Sequence, residues 1–79
     1  MNAEDLKKNG NELYKQQKYR EALEMYSEAI RLLPSCAAYY SNRSATYMML
    51  NKYKDALEDA QQSTQIDKAF IKVHLGFGW

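Results

Sequence analysis

One proline and three glycines are all that interrupt 79 residues. With so few breakers, and without strand-like alternation of apolar and polar residues, the chain reads as helix. The single cysteine, Cys36, excludes an internal disulfide, and alone it makes neither a zinc site nor a redox pair. It fits a reducing, cytoplasmic setting. No apolar run approaches the roughly 18 residues of a membrane span, and the opening Met1-Asn2-Ala3-Glu4-Asp5 is too polar and acidic for a signal or transit peptide. Charge of one sign is also lacking. The formal net charge is +1, so no global field draws in nucleic acid or a membrane surface. There is no phosphate loop, catalytic triad or metal-ligand spacing. The pairs Glu4-Asp5 and Glu58-Asp59 are adjacent, diverge on a helix, and read as solvated faces. His74, the only histidine, has no ligand cluster beside it and reads as a packing or groove residue. Neither an enzyme nor a cofactor site is expected.

What is present is a repeat. Lys18-Tyr19-Arg20-Glu21-Ala22-Leu23-Glu24 recurs 34 residues later as Lys52-Tyr53-Lys54-Asp55-Ala56-Leu57-Glu58, with five of the seven pairs identical. A period of about 34 residues is that of a helix-turn-helix unit. Tyr19, Ala22, Leu23, Tyr26, Ala29, Ile30 and Leu33 follow the i, i+3, i+4, i+7 spacing of one apolar stripe. Tyr53, Ala56, Leu57, Ala60 and Ile66 repeat most of it. The spacing predicts helices over 3–16, 19–33, 37–50 and 53–66, with a fifth beginning near 69. Pro34 stops the second helix. Ser35 and Asp67 are expected N-caps for the third and fifth. Short connections make consecutive helices antiparallel, and Gly10, Ala22, Ala29, Ser44 and Ala56 allow their backbones to approach. The tyrosines at helical spacing read as packing residues rather than base-stacking platforms, and Met25, Met48 and Met49 as buried gap-fillers.

Gly10, Tyr19, Ala22, Tyr26, Ala29 and Pro34, then Tyr47, Tyr53 and Ala56, resemble the signature of the tetratricopeptide repeat (TPR). Ala60 and Lys68 depart from it, where the family prefers an aromatic and a proline. Met48-Met49-Leu50, Asp59-Ala60-Gln61-Gln62-Ser63, Phe70 and His74-Leu75 are similar to the first TPR segment of J-domain co-chaperones. The resemblance implies an all-α TPR solenoid over residues 1–79. Repeat one covers about 3–36, repeat two about 37–70, and the start of a third A helix 71–79. It also implies a peptide-binding adaptor for acidic C-terminal tails of cytosolic heat-shock chaperones. In that family Lys-x-x-x-Asn on the first A helix, Asn on the second, and Lys-x-x-x-Arg on the third form a carboxylate clamp. Lys7, Asn11, Asn42 and Lys72 match it, and the arginine position falls on Gly76. Lys7 and Asn11 are four apart and share one helix face. A charge-assisted hydrogen bond is worth roughly 1.5–3 kcal/mol, so the missing arginine should cost roughly 10- to 100-fold in affinity.

The sequence ends where a third repeat has barely begun, so it reads as a cut or altered piece of an array. Gly76 and Gly78 disfavour helix there, and Phe77 and Trp79 are apolar. Tyr53, Ala56, Leu57 and Ala60 are expected to pack on the preceding repeat. The uncovered C-terminal side is expected to self-associate as a homodimer. The alternative function is a self-associating structural solenoid without a working clamp.

Overall fold

The computed structural model describes residues 1–67. They form four helices, α1 (Ala3–Lys15), α2 (Tyr19–Leu32), α3 (Ala37–Met49) and α4 (Tyr53–Ile66). Each packs on the next in chain order, as short connections between antiparallel helices require. The expected fifth helix and its Asp67 cap fall beyond or at the edge of the described residues.

The helices end for identifiable reasons. At the end of α1 the Lys18 N–H donates to the Leu13 carbonyl and the Gln17 N–H to Tyr14. At the end of α3 the Lys52 N–H donates to Tyr47 and the Asn51 N–H to Met48. Both are Schellman closures. Their left-handed residues are Gln17 (φ 64) and Asn51 (φ 62), so the 34-residue period is written into the backbone as well. α2 ends at Leu32, just before Pro34. Asn2 caps α1 by accepting from the Asp5 N–H at 2.8 Å. The N-cap of α3 is Cys36, with no side-chain bond, rather than Ser35.

Leu6 of α1, Ala29 and Ile30 of α2 and Tyr39 of α3 form the buried core, with Met25, Cys36 and Tyr40 packed against it. Gly10 lies against the ring of Tyr26, whose Cε1 would stand 2.6 Å from an added Cβ. The second repeat is joined differently. The buried Ser44 hydroxyl donates to the Ala56 carbonyl at 2.8 Å, and the buried Ser63 hydroxyl donates to Ala37 at 3.1 Å.

Several apolar residues are not where the stripe put them. α4 packs on α3 through Ala56, Asp59 and Ser63. Tyr53 and Leu57, one step round the helix, are each 58% exposed. Leu33, past the end of α2, and Met49, at the end of α3, are about half exposed. A residue in the last turn has left the shared face before the next helix can cover it.

Candidate functional site

The sequence-predicted clamp residues divide between two A helices. α1 carries Lys7 and Asn11, and α3 carries Asn42. Asn11 and Asn42 line one cleft of about 300 Å³, together with Tyr14, Lys15, Tyr26 and Ala45. The two asparagines are therefore brought together, although they lie in different repeats. Lys7, one turn before Asn11, is not among the residues that line the cleft. Lys72 and the Gly76 position lie outside the described residues.

Each polar group has a defined setting. The Tyr26 hydroxyl donates to Asn11 Oδ1 at 2.5 Å. This occupies the acceptor end of the amide and leaves the two Nδ2 protons without a partner among the described residues, ready for an incoming acceptor. Burial, then the neighbouring Tyr14, pushes the Tyr26 hydroxyl up to about 12. It thus remains a neutral donor at any ordinary pH. Asn42 commits its backbone carbonyl to the Thr46 hydroxyl at 2.9 Å, and its side chain has no partner among the described residues. Tyr14 is held edge-on by Tyr19, with ring centroids 5.3 Å apart.

Two cations flank Asn11 on α1. Lys7 pairs with Glu4 at 2.6 Å, and Lys15 pairs with Glu12 at 3.6 Å. Lys15 was not singled out from the sequence, yet it lines the cleft. The signal was available, because Lys7, Asn11 and Lys15 are successive i, i+4 positions on one face. The cleft thus offers amide donors, one cation and an aromatic wall, a set suited to a carboxylate with an apolar neighbour.

Asp59 corrects the sequence reading. It is buried rather than part of a solvated face. It accepts two hydrogen bonds from Arg43, from Nε at 2.7 Å and Nη2 at 2.8 Å. Arg43 also reaches Ser27 of α2 at 3.2 Å and lies between the rings of Tyr40 and Tyr47. One guanidinium thereby ties together α2, α3 and α4 next to Asn42. Among the described residues no cluster of His, Cys, Asp or Glu is arranged to hold a metal ion, and no helix is long and apolar enough to cross a membrane.

Paired helices, a 34-residue recurrence and an open cleft between the A helices define a helical-repeat protein-interaction module. The TPR repeat family model matches residues 10–51, and the chain belongs to that family. It is similar to DnaJ homolog subfamily C member 7 of Mus musculus, 46% identical over 76 residues. It is also similar to the Hsp70-Hsp90 organizing protein of Triticum aestivum, 44% identical over 70 residues. These matches cover 96% and 89% of this chain but only 15% and 12% of the two relatives. Among solved structures the Arabidopsis OM64 TPR domain superimposes with a TM-score of 0.88 at 36% identity. That match covers 92% of this chain and 60% of that one. The likeness to a co-chaperone TPR segment, read from the residues, is shown by these relatives.

Proposed function

We propose that this TPR module is a cytoplasmic chaperone adaptor, binding the acidic C-terminal tail of a heat-shock chaperone through Lys7, Asn11, Asn42 and Lys72. The observation that carries the reading is the shared cleft. Asn11 and Asn42 present free amide donors to the same space, and Tyr26 holds the first in its donating orientation. A peptide ending in aspartate brings two carboxylates, its side chain and its terminus. Asparagine supplies neutral donors and lysine supplies charge, so both carboxylates can be met without burying an unpaired ion. The chaperone kinship of the relatives supports the choice of partner.

An NMR titration tests it. On adding a peptide with a free C-terminal aspartate, the side-chain amides of Asn11 and Asn42 shift together and saturate together, while that of Asn51 stays in place. Shifts confined to α4 contradict the reading.

A second reading, self-association, rests on the exposure of Tyr53 and Leu57 on α4. A second copy covering that face gives a mass that rises with concentration in light scattering. Tyr53→Ser with Leu57→Ser then restores the monomer. The sequence instead places self-association at the C-terminal end, whose Phe70, Val73, His74, Phe77 and Trp79 lie outside the described residues.

A further inference from the structure

Lys7 is already occupied by a carboxylate. Glu4 Oε1 lies 2.6 Å from its ammonium. The other oxygen, Glu4 Oε2, accepts from the Tyr39 hydroxyl at 3.2 Å. Tyr39 is 2% exposed and belongs to the core with Leu6, Ala29 and Ile30. The Glu4 carboxylate is thus contacted from two helices, by an ammonium and by the hydroxyl of a buried ring, while its side chain stays about half exposed. The Lys7 hydrogen bond holds Glu4 below the ordinary glutamate value.

We propose that Glu4 is an internal, ligand-like carboxylate that occupies Lys7 in the unbound protein and competes there with the carboxylates of an acidic peptide end. This rests on the clamp reading given above. An ammonium has three donors and can serve two carboxylates, but the two then lie within a few ångströms and repel. The arriving carboxylate must therefore displace Glu4 or bear that repulsion. A peptide with one weakly placed carboxylate gains little at Lys7. One with paired carboxylates also reaches the Asn11 and Asn42 amides and still gains. Glu4 thereby lowers the affinity of the site for an acidic peptide end.

The test is a set of titrations of the whole chain with two peptides, one ending in free aspartate and one ending in asparagine amide. The variants are Glu4→Gln, Asp5→Asn, Lys7→Ala and the Glu4→Gln/Lys7→Ala double. Exposed charge pairs change equilibria by about two- to five-fold. Glu4→Gln should therefore bind the free-acid peptide about two- to five-fold more tightly than the parent at low salt. That gain shrinks at high salt and disappears in the Lys7→Ala background. The neutral-ended peptide shows no gain. Asp5→Asn makes the same change in net charge without touching Lys7, and should leave affinity unchanged. Equal gains from Asp5→Asn and Glu4→Gln would assign the effect to net charge and overturn the proposal. So would a Glu4→Gln variant that binds no more tightly, while the parent still prefers the free acid; that result leaves the clamp standing. If no variant prefers the free acid, the clamp reading fails and this proposal fails with it.

Discussion

Arg43 holds Asp59 through two parallel hydrogen bonds, at 2.7 and 2.8 Å, across the packing of α3 on α4. Asp59 is only 6% exposed. Removing one partner of such a pair leaves the other charge poorly solvated, which costs about 3–5 kcal/mol when both are fully buried. Arg43 retains some exposure, so Asp59→Ala should lose about 2–4 kcal/mol in urea unfolding. A loss below about 0.5 kcal/mol would return Asp59 to the solvated surface.

Gly10→Ala sets two effects against each other. Alanine favours the helix by about 1 kcal/mol over glycine. Its methyl would meet the Tyr26 ring at 2.6–3.0 Å, however, and that ring is pinned at its hydroxyl by Asn11. Overpacking costs about 1–3 kcal/mol. The clash offsets or outweighs the gain, with a net loss of up to about 2 kcal/mol and weaker peptide binding as Asn11 shifts. A stabilised Gly10→Ala variant would show that Tyr26 has room to give.

Gln17 closes α1 in the left-handed region that glycine adopts without cost. Gln17→Gly should stabilise the chain by about 0.5–1 kcal/mol, or roughly 2–8 °C in melting temperature. Asn51→Gly should do less, because asparagine tolerates this conformation better than glutamine. Differential scanning calorimetry on the two variants checks both the sign and the order.

Glu4 titrates below the ordinary glutamate value because Lys7 hydrogen-bonds its ionised form. A folded-state value lowered in this way contributes stability above the ordinary value. That stability is lost as the pH falls through the lowered one. Carbon-detected NMR titration should place the Glu4 midpoint below the ordinary glutamate value. In Lys7→Ala the midpoint should rise toward it. An unchanged midpoint in Lys7→Ala would mean that the pair does not persist in solution.

Much of the architecture could be read from the residues, because it is periodic. The 34-residue recurrence and Pro34 placed all four helices to within a residue or two of their observed ends. Pairings between distant side chains could not be read in that way. Asp59 next to Glu58 looks like a solvated pair until α3 brings Arg43, 16 residues earlier, against it. Cys36 starts α3 instead of the better cap Ser35, since packing against the core outweighs a cap bond. The site was legible in part. Asn11 and Asn42 do share a cleft, but Lys15 was not singled out, and Glu4, exposed as expected, pairs with Lys7 in a way its residue type does not announce. Residue type marks a donor; only the fold shows whether it is already taken.

The most direct test of the account is calorimetric titration with a peptide ending in free aspartate, run beside the same peptide amidated at its terminus. The account predicts clearly tighter binding of the free acid. The difference should narrow in high salt and largely vanish in Asn11→Ala/Asn42→Ala, which loses both amide donors of the cleft. Equal affinity for the two peptides in the parent chain would contradict it.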